Sequence, residues 1–342
     1  MSEHFKNYLG SLIKGENLSS SEMESLMTLI MTGELSSAQI ASCIVAMEIK
    51  GATPDEIAAA ALVMREHSNK VIVEDSQHLI DTCGTGGDSL QTFNVSTISA
   101  IVAAAAGAKV AKHGGRSVSS KCGSADVLEA LGVNVNLDHK NLGMLVDHCG
   151  IGFMFAPNYH PAMKYVAPVR KDLGIRTMFN LLGPLTNPAS AKRQVVGVYS
   201  KELTKTFAKV LQKLGSKHVL VVHGEDGMDE ISITGRTFVA ELKDNIIKEY
   251  TIEPSLYNLK TGSLKDIVVE DSSQSKKIIF DILNGELSVA RDITLLNAGA
   301  AIYIAGLAEN INSGIKIAED VIDQGKAMEK LNKLKDSSTL RD

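Results

Sequence analysis

The chain has 342 residues but no tryptophan, 4% aromatic residues and four cysteines. Cys43, Cys83, Cys122 and Cys149 form no C-x-x-C pair, so the sequence predicts neither a disulfide framework nor a zinc site, and a reducing compartment is expected. No run of 18 uncharged apolar residues occurs, and the longest candidate, Val95 to Val110, is too short to span a bilayer. No basic segment leads into an apolar run at the start, so we expect no signal peptide and a cytoplasmic location.

Several motifs are also missing. The absence of G-x-x-x-x-G-K-[ST] excludes a P-loop nucleotide hydrolase. The dinucleotide pattern G-x-G-x-x-G is absent because Gly84-Thr85-Gly86-Gly87-Asp88 lacks the third glycine, and no Ser-His-Asp spacing is readable. A net charge of −5 argues against a general nucleic-acid binder, while 44% hydrophobic and 22% charged residues are normal for a soluble globular protein.

The patterns that are present predict two regions of different secondary structure. Residues 1–70 show helical signals alone, including the spacing Ser21 to Glu24, Ser36 to Gln39 and Thr53-Pro54-Asp55-Glu56. From Val71 onwards, short β-branched runs alternate with helical patterns. We therefore predict an α/β protein, with a small all-helical N-terminal domain and a large α/β domain whose mainly parallel central sheet is covered by helices.

The predicted domain boundaries follow from these two regions. The helical domain covers 1–70, with a returning helical or hinge segment at about 160–188, and the α/β domain covers 71–159 and 189–342. Strands are expected near Leu79 and at 109–111, 133–135, 152–155, 195–199 and 218–222, with shorter, antiparallel strands within 231–252. Helices are expected after Asn94 and at 124–131, 139–149, 203–214, 275–284, 292–307 and 315–334, with another opening at His160 and carrying Arg170. The polar tail from Lys335 is expected to fray.

The glycine-rich stretch Asp81 to Asp88 follows a predicted strand and precedes a helix that begins near Asn94. Its glycines allow backbone N–H groups to approach an anion, and a helix N-terminus lies behind them. Asp88 and the polar side chains of Asn94 to Thr97 add donors for a ribose hydroxyl or a hard cation. The stretch predicts a site for a phosphorylated sugar with Mg²⁺, although an ordinary strand-to-helix turn has the same local pattern.

A second stretch, Lys112 to Lys121, also follows a strand. Its charged residues, glycines and serines suit a phosphate or pyrophosphate, and the alternative is a solvated basic loop. His113 fits either a loop cap or a ligand contact, and Cys122 is interpreted as structural.

Two further features carry possible chemistry. Asp229-Glu230 follows the predicted strand 218–222 and offers the oxygen donors that Mg²⁺ uses when phosphates share it, although locally an acidic surface turn explains the pair better. Arg170, with Lys171, Arg176 and Asn180 nearby, can hold a carboxylate, although most single arginines on helices are surface residues.

The order and spacing of these motifs, from the helical region through the stretches at Asp81, Asn94, Lys112, Arg170 and Gly227, resemble the anthranilate phosphoribosyltransferase family over nearly the whole chain. The resemblance implies transfer of the phosphoribosyl group of 5-phosphoribosyl 1-pyrophosphate (PRPP) to the amine of anthranilate. It also implies Mg²⁺, as two ions, an active site in the cleft between the domains, and a homodimer built through the helical domain.

The resemblance assigns site residues by motif. Those expected to bind substrate are Gly84, Gly87, Asp88, Thr92, Asn94, Val95, Ser96, Thr97, Lys112, His113, Gly114, Gly115, Arg116, Ser117, Val118, Ser119, Ser120, Ser124 and Arg170. Within this set, Gly84 and Arg170 line the anthranilate path, and Arg170 binds the anthranilate carboxylate. Ser96, Asp229 and Glu230 are expected to hold Mg²⁺. Lys112, Arg170, Asp229 and Glu230 are expected to take part in catalysis.

One position departs from the family pattern. The family has Lys-His-Gly-Asn-Arg where this chain has Lys112-His113-Gly114-Gly115-Arg116, so an amide expected to contact anthranilate is absent. Two alternative functions stay open from the sequence. One is a pyrimidine nucleoside phosphorylase, which also works at an anomeric carbon but needs no metal-binding acidic pair. The other is a nucleic-acid-binding relative of the same fold, which requires a basic groove.

Overall fold

The computed structural model describes residues 3–88, 90–116 and 122–339. Its N-terminal part is helical, with α1 (Glu3–Ile13), α2 (Ser20–Thr32), α3 (Ser37–Lys50) and α4 (Pro54–Glu66). Helices α2 to α4 each begin with a reciprocal pair of side chain and backbone hydrogen bonds, which satisfies N–H groups that the helix itself cannot pair. The caps at Ser36 and Thr53 lie where the sequence predicts them, whereas α2 is capped by Ser19 rather than Ser21.

A buried ion pair fixes the geometry of this helical region. The Lys50 ammonium lies 2.8 Å from the Glu56 carboxylate, and the exposed fractions of their side chains are 3% and 1%. The same carboxylate accepts from the Leu18 N–H at 2.9 Å. Glu56 therefore joins the start of α4 to the end of α3 and to the loop before α2. A buried charge without its partner would be costly, so the three segments are held in one arrangement.

The rest of the described chain contributes seven strands to one sheet, with the spatial order β3-β2-β1-β4-β5-β6-β7. The strands are β1 (Leu79–Gly84), β2 (Lys109–Gly114), β3 (Ile151–Phe155), β4 (Arg193–Gly197), β5 (His218–Gly224), β6 (Thr237–Lys243) and β7 (Ile246–Ile252). The first five are parallel, while β6 and β7 pair antiparallel at one edge. The predicted α/β class, the helical N-terminal part and the mainly parallel sheet are confirmed.

The remaining helices cover the sheet and connect its strands. They are α5 (Val95–Ala105), α6 (Ser124–Ala130), α7 (His139–Cys149), α8 (Ala156–Tyr159), α9 (Ala167–Leu173), α10 (Phe179–Leu182), α11 (Glu202–Lys213), α12 (Ser272–Leu283), α13 (Val289–Ala305), α14 (Ile311–Asp323) and α15 (Lys326–Thr339). One core joins α5 and α13 to the sheet, and a second joins the N-terminal helices to residues 166–185, α11 and the opposite face of β4 and β5. Within the described ranges, no helix is long and apolar enough to cross a membrane.

Some predicted elements are wrong. Residues 133–135 form no strand: Val133 and Val135 are buried, but the N–H of Asn134 between them binds the Ser338 hydroxyl at 3.0 Å. The segment predicted as one helix over 315–334 is interrupted between α14 and α15, because Gly325 adopts a positive φ of 73°. Helix α15 continues to Thr339, so the chain beyond Lys335 does not fray where predicted. The helix predicted from His160 is a 3-10 turn followed by α9.

The strand order places a crevice at one edge of the sheet. From β1 the chain moves through β2 to β3 on one side and later returns to place β4 and β5 on the other side. Open α/β sheets bind ligands at the carboxyl ends of the strands where the order reverses in this way. The carboxyl ends of β1 and β4 are therefore the first place to look for a site.

Candidate active site

The carboxyl ends of β1 and β4 lie side by side, with Gly84 opposite Gly197. A β-carbon on Gly84 would lie 2.2 Å from Asp229 Oδ2, and one on Gly197 would lie 1.5 Å from the Asp229 carbonyl oxygen. The segment after β5 therefore crosses directly over both strand ends. Neither position accepts a side chain without moving Asp229.

The glycine loop after β1 is hydrogen-bonded to this crossing segment. The Gly86 N–H donates to Asp229 Oδ2 at 2.8 Å, and the Thr85 N–H donates to the Gly197 carbonyl at 2.9 Å. Gly86 and Gly87 have positive φ values of 66° and 83°, which glycine adopts without steric cost. The loop thus aims a backbone N–H at a carboxylate oxygen, the interaction expected of an anion-binding loop.

Asp229 and Glu230 are half-buried, and their carboxyl groups lie beside the start of α5. Glu230 Oε1 accepts from the Ser96 N–H at 3.1 Å. Burial, followed by the negative charge of Asp88, raises the pKa of Asp229 to about 7. Burial, followed by the charge of Asp229, raises the pKa of Glu230 to about 8. The alternative interpretation of the pair as a solvated acidic turn is therefore wrong, because these carboxyls face the strand ends.

Lys112 lies behind these groups with an exposed fraction of 2%. Its ammonium donates to the Thr82 carbonyl and, at 3.0 Å, to the Ser96 hydroxyl. Burial lowers its pKa, while the charge of Asp81 is the largest influence in the opposite direction. In this arrangement, Lys112 orients Ser96 and offsets negative charge.

The site contains more carboxyl groups than cations. Asp81, Asp88, Asp229 and Glu230 each influence the pKa of a neighbour in this group, and Lys112 is the cation that opposes them. Among the residues that the structure describes, no three His, Cys, Asp or Glu side chains are grouped to hold a metal ion by themselves. The oxygen donors and the excess of carboxylate fit a hard divalent cation whose coordination is completed by water and substrate phosphates.

The structure describes part of the second predicted stretch, Lys112 to Lys121. Gly114 ends β2, and no atom of the described residues lies within 4 Å of the place where a Gly115 β-carbon would be. Arg116 does not point to the acidic pair: its guanidinium binds Asp126 at 2.8 Å and Glu129 at 2.6 Å on α6. The predicted contacts Ser117, Val118, Ser119 and Ser120 lie outside the described residues.

Asn94, which directly precedes α5, connects Cys122 to α12. Its amide nitrogen donates to the Cys122 carbonyl at 3.1 Å, and its amide oxygen accepts from the Ser275 hydroxyl at 2.8 Å. Thr97, one turn into α5, has a buried hydroxyl without a hydrogen-bond partner among the described residues. The structure thus uses Asn94 to position the loop end, while the Thr97 hydroxyl is left available.

Three other predicted residues have ordinary structural surroundings. Thr92 forms an isolated antiparallel bridge with Val268, Val95 is buried at the start of α5, and half-buried Ser124 is the first residue of α6. Their backbone places them at the same edge of the sheet as the glycine loop. None of them has a described side-chain contact with Asp229 or Glu230.

Arg170 lies on α9, within the segment that returns to the helical region. Its guanidinium lies 6.0 Å from the centroid of the Phe179 ring, and it forms no ion pair with a described carboxylate. Burial lowers its pKa. A partly buried guanidinium that lacks an anion is suited to bind the carboxylate of a ligand.

His113 is held inside the protein. Its backbone N–H donates to Asp81 Oδ1 at 3.1 Å, and its ring lies 5.0 Å from the ring of His160, measured between centroids. Burial lowers the pKa of His113 to about 3 and that of His160 to about 4, so both imidazoles are neutral near pH 7. His113 Nε2 and both ring nitrogens of His160 are buried without a partner in the described structure.

Sequence reasoning missed several residues that organise the site. Buried Asp81 accepts from the Asn187 amide at 2.7 Å, which ties β1 to the segment before β4. Arg176 donates to the Gly87 carbonyl at 2.7 Å while its guanidinium lies 4.6 Å from the centroid of the Tyr199 ring. A charged residue inside the apolar start of β1 was the available signal for Asp81. Nothing local indicated the partners of Arg176.

Comparison with known proteins agrees with this fold. Residues 6–68 match the helical bundle domain of a glycosyl transferase family, and residues 76–328 match its a/b domain. Anthranilate phosphoribosyltransferase of Methylobacillus flagellatus is 54% identical over 327 residues, which cover 96% of each chain. The crystal structure of the Thermus thermophilus enzyme of that name has a TM-score of 0.92 at 40% identity, covering 97% of this chain and 99% of that one. The Saccharomyces cerevisiae enzyme in complex with PRPP and Mg has a TM-score of 0.90 at 29% identity and 99% coverage of both chains.

The helical bundle and the α/β domain define a glycosyl transferase. Within that class, the chain belongs to the anthranilate phosphoribosyltransferase family. Its activity is the transfer of a phosphoribosyl group to anthranilate in the tryptophan pathway.

Proposed function

We propose that the crevice formed by the glycine loop, the start of α5 and the Asp229-Glu230 segment binds PRPP together with Mg²⁺. The observation that carries the proposal is the excess of carboxyl groups over the single ammonium of Lys112. Ser96, Asp229 and Glu230 would hold the cation. Two ions would bind if each of the two carboxylates held its own. The bound cation would offset charge on the departing pyrophosphate.

The phosphoribosyl group would occupy the space between the glycine loop and the N-terminus of α5. Backbone N–H groups of the glycine loop and of the first turn of α5 would be its donors. Asn94 holds the end of the Lys112–Lys121 stretch in place through the Cys122 carbonyl. That stretch would supply further contacts to the phosphates.

Anthranilate would lie between the sheet edge and the returning helical segment. The guanidinium of Arg170 is the cation that would bind its carboxylate, because no described carboxylate already occupies it. Gly84 would line the path to the anomeric carbon. The space at Gly115 would be filled by water or by the anthranilate ring where the family has an amide.

The chemistry is displacement at the anomeric carbon of the ribose. A bond forms between the amine nitrogen and that carbon, the bond from carbon to the pyrophosphate oxygen breaks, and the amine loses one proton. The neutral aryl amine needs no strong base, so the protein contributes position and electrostatic stabilisation. Lys112 contributes by orienting the Ser96 hydroxyl and by offsetting the charge of Asp81.

We also propose a homodimer built through the helical region, in the cytoplasm. Large apolar side chains are exposed there, with exposed fractions of 70% for Ile13, 83% for Ile49 and 41% for Leu62. These side chains lie on α1, α3 and α4, and burying them against a second copy would remove apolar surface from water. Sedimentation of the variant with Ile49→Lys should give monomers if this surface forms the contact.

The metal proposal is tested by replacing Asp229→Asn with Glu230→Gln. The double variant is expected to stay folded, since the raised pKa values of both carboxyls mean that their charge is unfavourable in the folded protein, and to lose most Mg²⁺-dependent turnover. The matched control, Glu225→Gln with Glu253→Gln, removes two exposed carboxylates that lie near Arg236. The control should keep full turnover. Equal turnover in both double variants would refute the metal assignment.

A phosphorylase or a nucleic-acid binder is not favoured by this geometry. Inorganic phosphate bound beside four carboxyl groups would add negative charge to a site that already has an excess of it. A nucleic-acid-binding groove needs cations at the same edge, where Arg116 is already bound to α6. Phosphorolysis of thymidine or uridine by the purified protein would contradict the proposed reaction.

A further inference from the structure

A cavity of about 520 Å³ lies at the edge of the sheet opposite the active site. One wall is the segment between α4 and β1, and the other is the segment that leads into β4. These two segments carry the chain between the helical region and the sheet. They are joined where the Val71 N–H donates to the Pro188 carbonyl at 3.2 Å. A ligand in this cavity would therefore touch both connections.

The charged residues that line the cavity are all cations: Lys70, Lys192, Arg193 and Lys217. In the described parts of the chain, none of these four forms an ion pair with a carboxylate. Asp75, on the same connection as Lys70, is bound to Lys109 at 3.2 Å instead. The cavity therefore concentrates like charges that repel each other.

Three of the cations bind the carbonyl ends of helices. Lys70 donates to the Arg65 carbonyl in the last turn of α4, Lys192 to Leu214 after α11 at 3.2 Å, and Arg193 to Ile304 of α13 at 2.9 Å. A helix end carries about half a negative charge. Three such ends offset about one and a half of the four positive charges, so about two and a half remain.

A fifth cation lies beneath the cavity. The guanidinium of Arg65 is buried, and its described hydrogen bond is to the Leu185 carbonyl at 2.7 Å. Burial and then the charges of Arg65 and Lys217 lower the pKa of Lys192. Mutual repulsion of this kind is relieved when an anion binds among the cations.

We propose that this cavity is a second anion site, which binds a multivalent oxyanion of the phosphate type. Its charge matches a divalent or trivalent anion, and hydroxyl groups of Ser76 and Ser190 line it as further donors. Apolar side chains such as Val71 and Val73 form part of the same lining, so a phosphate ester with an apolar body also fits. The anion would join the two connections and stabilise their arrangement.

The test is a calorimetric titration of the whole protein with inorganic phosphate at constant ionic strength. Because inorganic phosphate is not favoured beside the carboxyl groups of the active site, the binding that is lost in the variant is what decides. The wild-type protein is expected to bind phosphate in this cavity, and Lys192→Gln with Lys217→Gln is expected to weaken that binding at least tenfold. The matched control, Lys248→Gln with Lys316→Gln, removes two exposed lysines elsewhere and should retain it. The KM values of the two substrates should not change in either variant.

A second ligand distinguishes the two sources of the anion. Tighter binding of phenyl phosphate than of phosphate at the second site would assign an ester, and equal affinities would assign the inorganic ion. The proposal is overturned if the variant binds both ligands as the wild type does, or if the wild type binds no phosphate. Should the double variant not fold, Lys217→Gln alone decides the matter, because the exposed Lys217 side chain has no described partner.

Discussion

Replacing Gly197 by alanine should damage the site through steric displacement alone. The new β-carbon would lie 1.5 Å from the Asp229 carbonyl oxygen and 2.3 Å from its carbonyl carbon. Ordinary contact begins near 3.4 Å, so the Asp229 backbone must move by about 1.9 Å. Both neighbours are backbone atoms, so no side-chain rotation relieves the contact.

That displacement would break the hydrogen bonds from Gly86 N–H to Asp229 and from Ser96 N–H to Glu230. Each bond to a charged group is worth about 1.5 kcal/mol or more, so the loss in unfolding free energy is about 3 kcal/mol. A misplacement of about 1 Å near the chemistry commonly costs about 10²-fold in rate. We therefore expect Gly197→Ala to remain folded at 25 °C and to lose at least about 10²-fold in kcat/KM.

The assay is steady-state anthranilate consumption together with urea unfolding of the same samples. Gly235→Ala is the matched control, because a β-carbon there meets nothing nearer than 4.0 Å and its φ is not positive. The control should change neither quantity. Near wild-type turnover in Gly197→Ala would refute the reasoning that the strand ends and the acidic segment must touch.

Three further predictions follow from single features of the site. Arg170→Ala should raise the KM for anthranilate about 10- to 100-fold, the value of a charge-assisted pair, and leave the KM for PRPP nearly unchanged; a selective effect on PRPP would contradict its role. Gly115→Asn should fold with unchanged stability, since no described residue lies within 4 Å of its β-carbon, and lower the KM for anthranilate; a loss of stability would show that the space is filled. Apparent Mg²⁺ affinity, measured by kinetic activation, should rise with pH between about 6 and 8, because the raised pKa values of Asp229 and Glu230 mean that the cation displaces protons at lower pH. A pH-independent affinity would contradict those shifts.

The same two carboxyls affect stability without the cation. Their pKa values are higher in the folded protein than in the unfolded chain, so the folded state binds more protons in this range. The linkage sign makes their contribution to stability fall as pH rises from the unfolded pKa near 4 through the folded values. Bound Mg²⁺ should remove this loss.

Local rules predicted the elements whose signals are local. Thr53, Pro54 and Glu56 begin α4 as expected, because the cap, the proline and the returning carboxylate all lie within four residues. The same rules failed for Val133 and Val135: burial alternates there, but a strand also needs a partner, and β3 is already the edge of the sheet. Gly325 is a sequence signal for the end of a helix, and the prediction of one long helix over 315–334 did not use it.

The site was predictable as a set of strand-end motifs but not as a geometry. Asp229 and Gly86 are 143 residues apart, and their contact depends on Gly84 and Gly197 both lacking a β-carbon. The inward position of Lys112 likewise depends on Ser96, which lies on the helix after a different strand. Such contacts come from tertiary packing, so spacing along the chain does not reveal them.

Anthranilate fluorescence tests the central claim most directly. The purified protein is mixed with anthranilate, PRPP and Mg²⁺, and each component is omitted in turn. The account predicts that fluorescence falls when all are present, that chelation of Mg²⁺ stops the loss, and that Asp229→Asn with Glu230→Gln nearly abolishes it. Loss of fluorescence at the same rate without Mg²⁺, or with the double variant, would contradict the account.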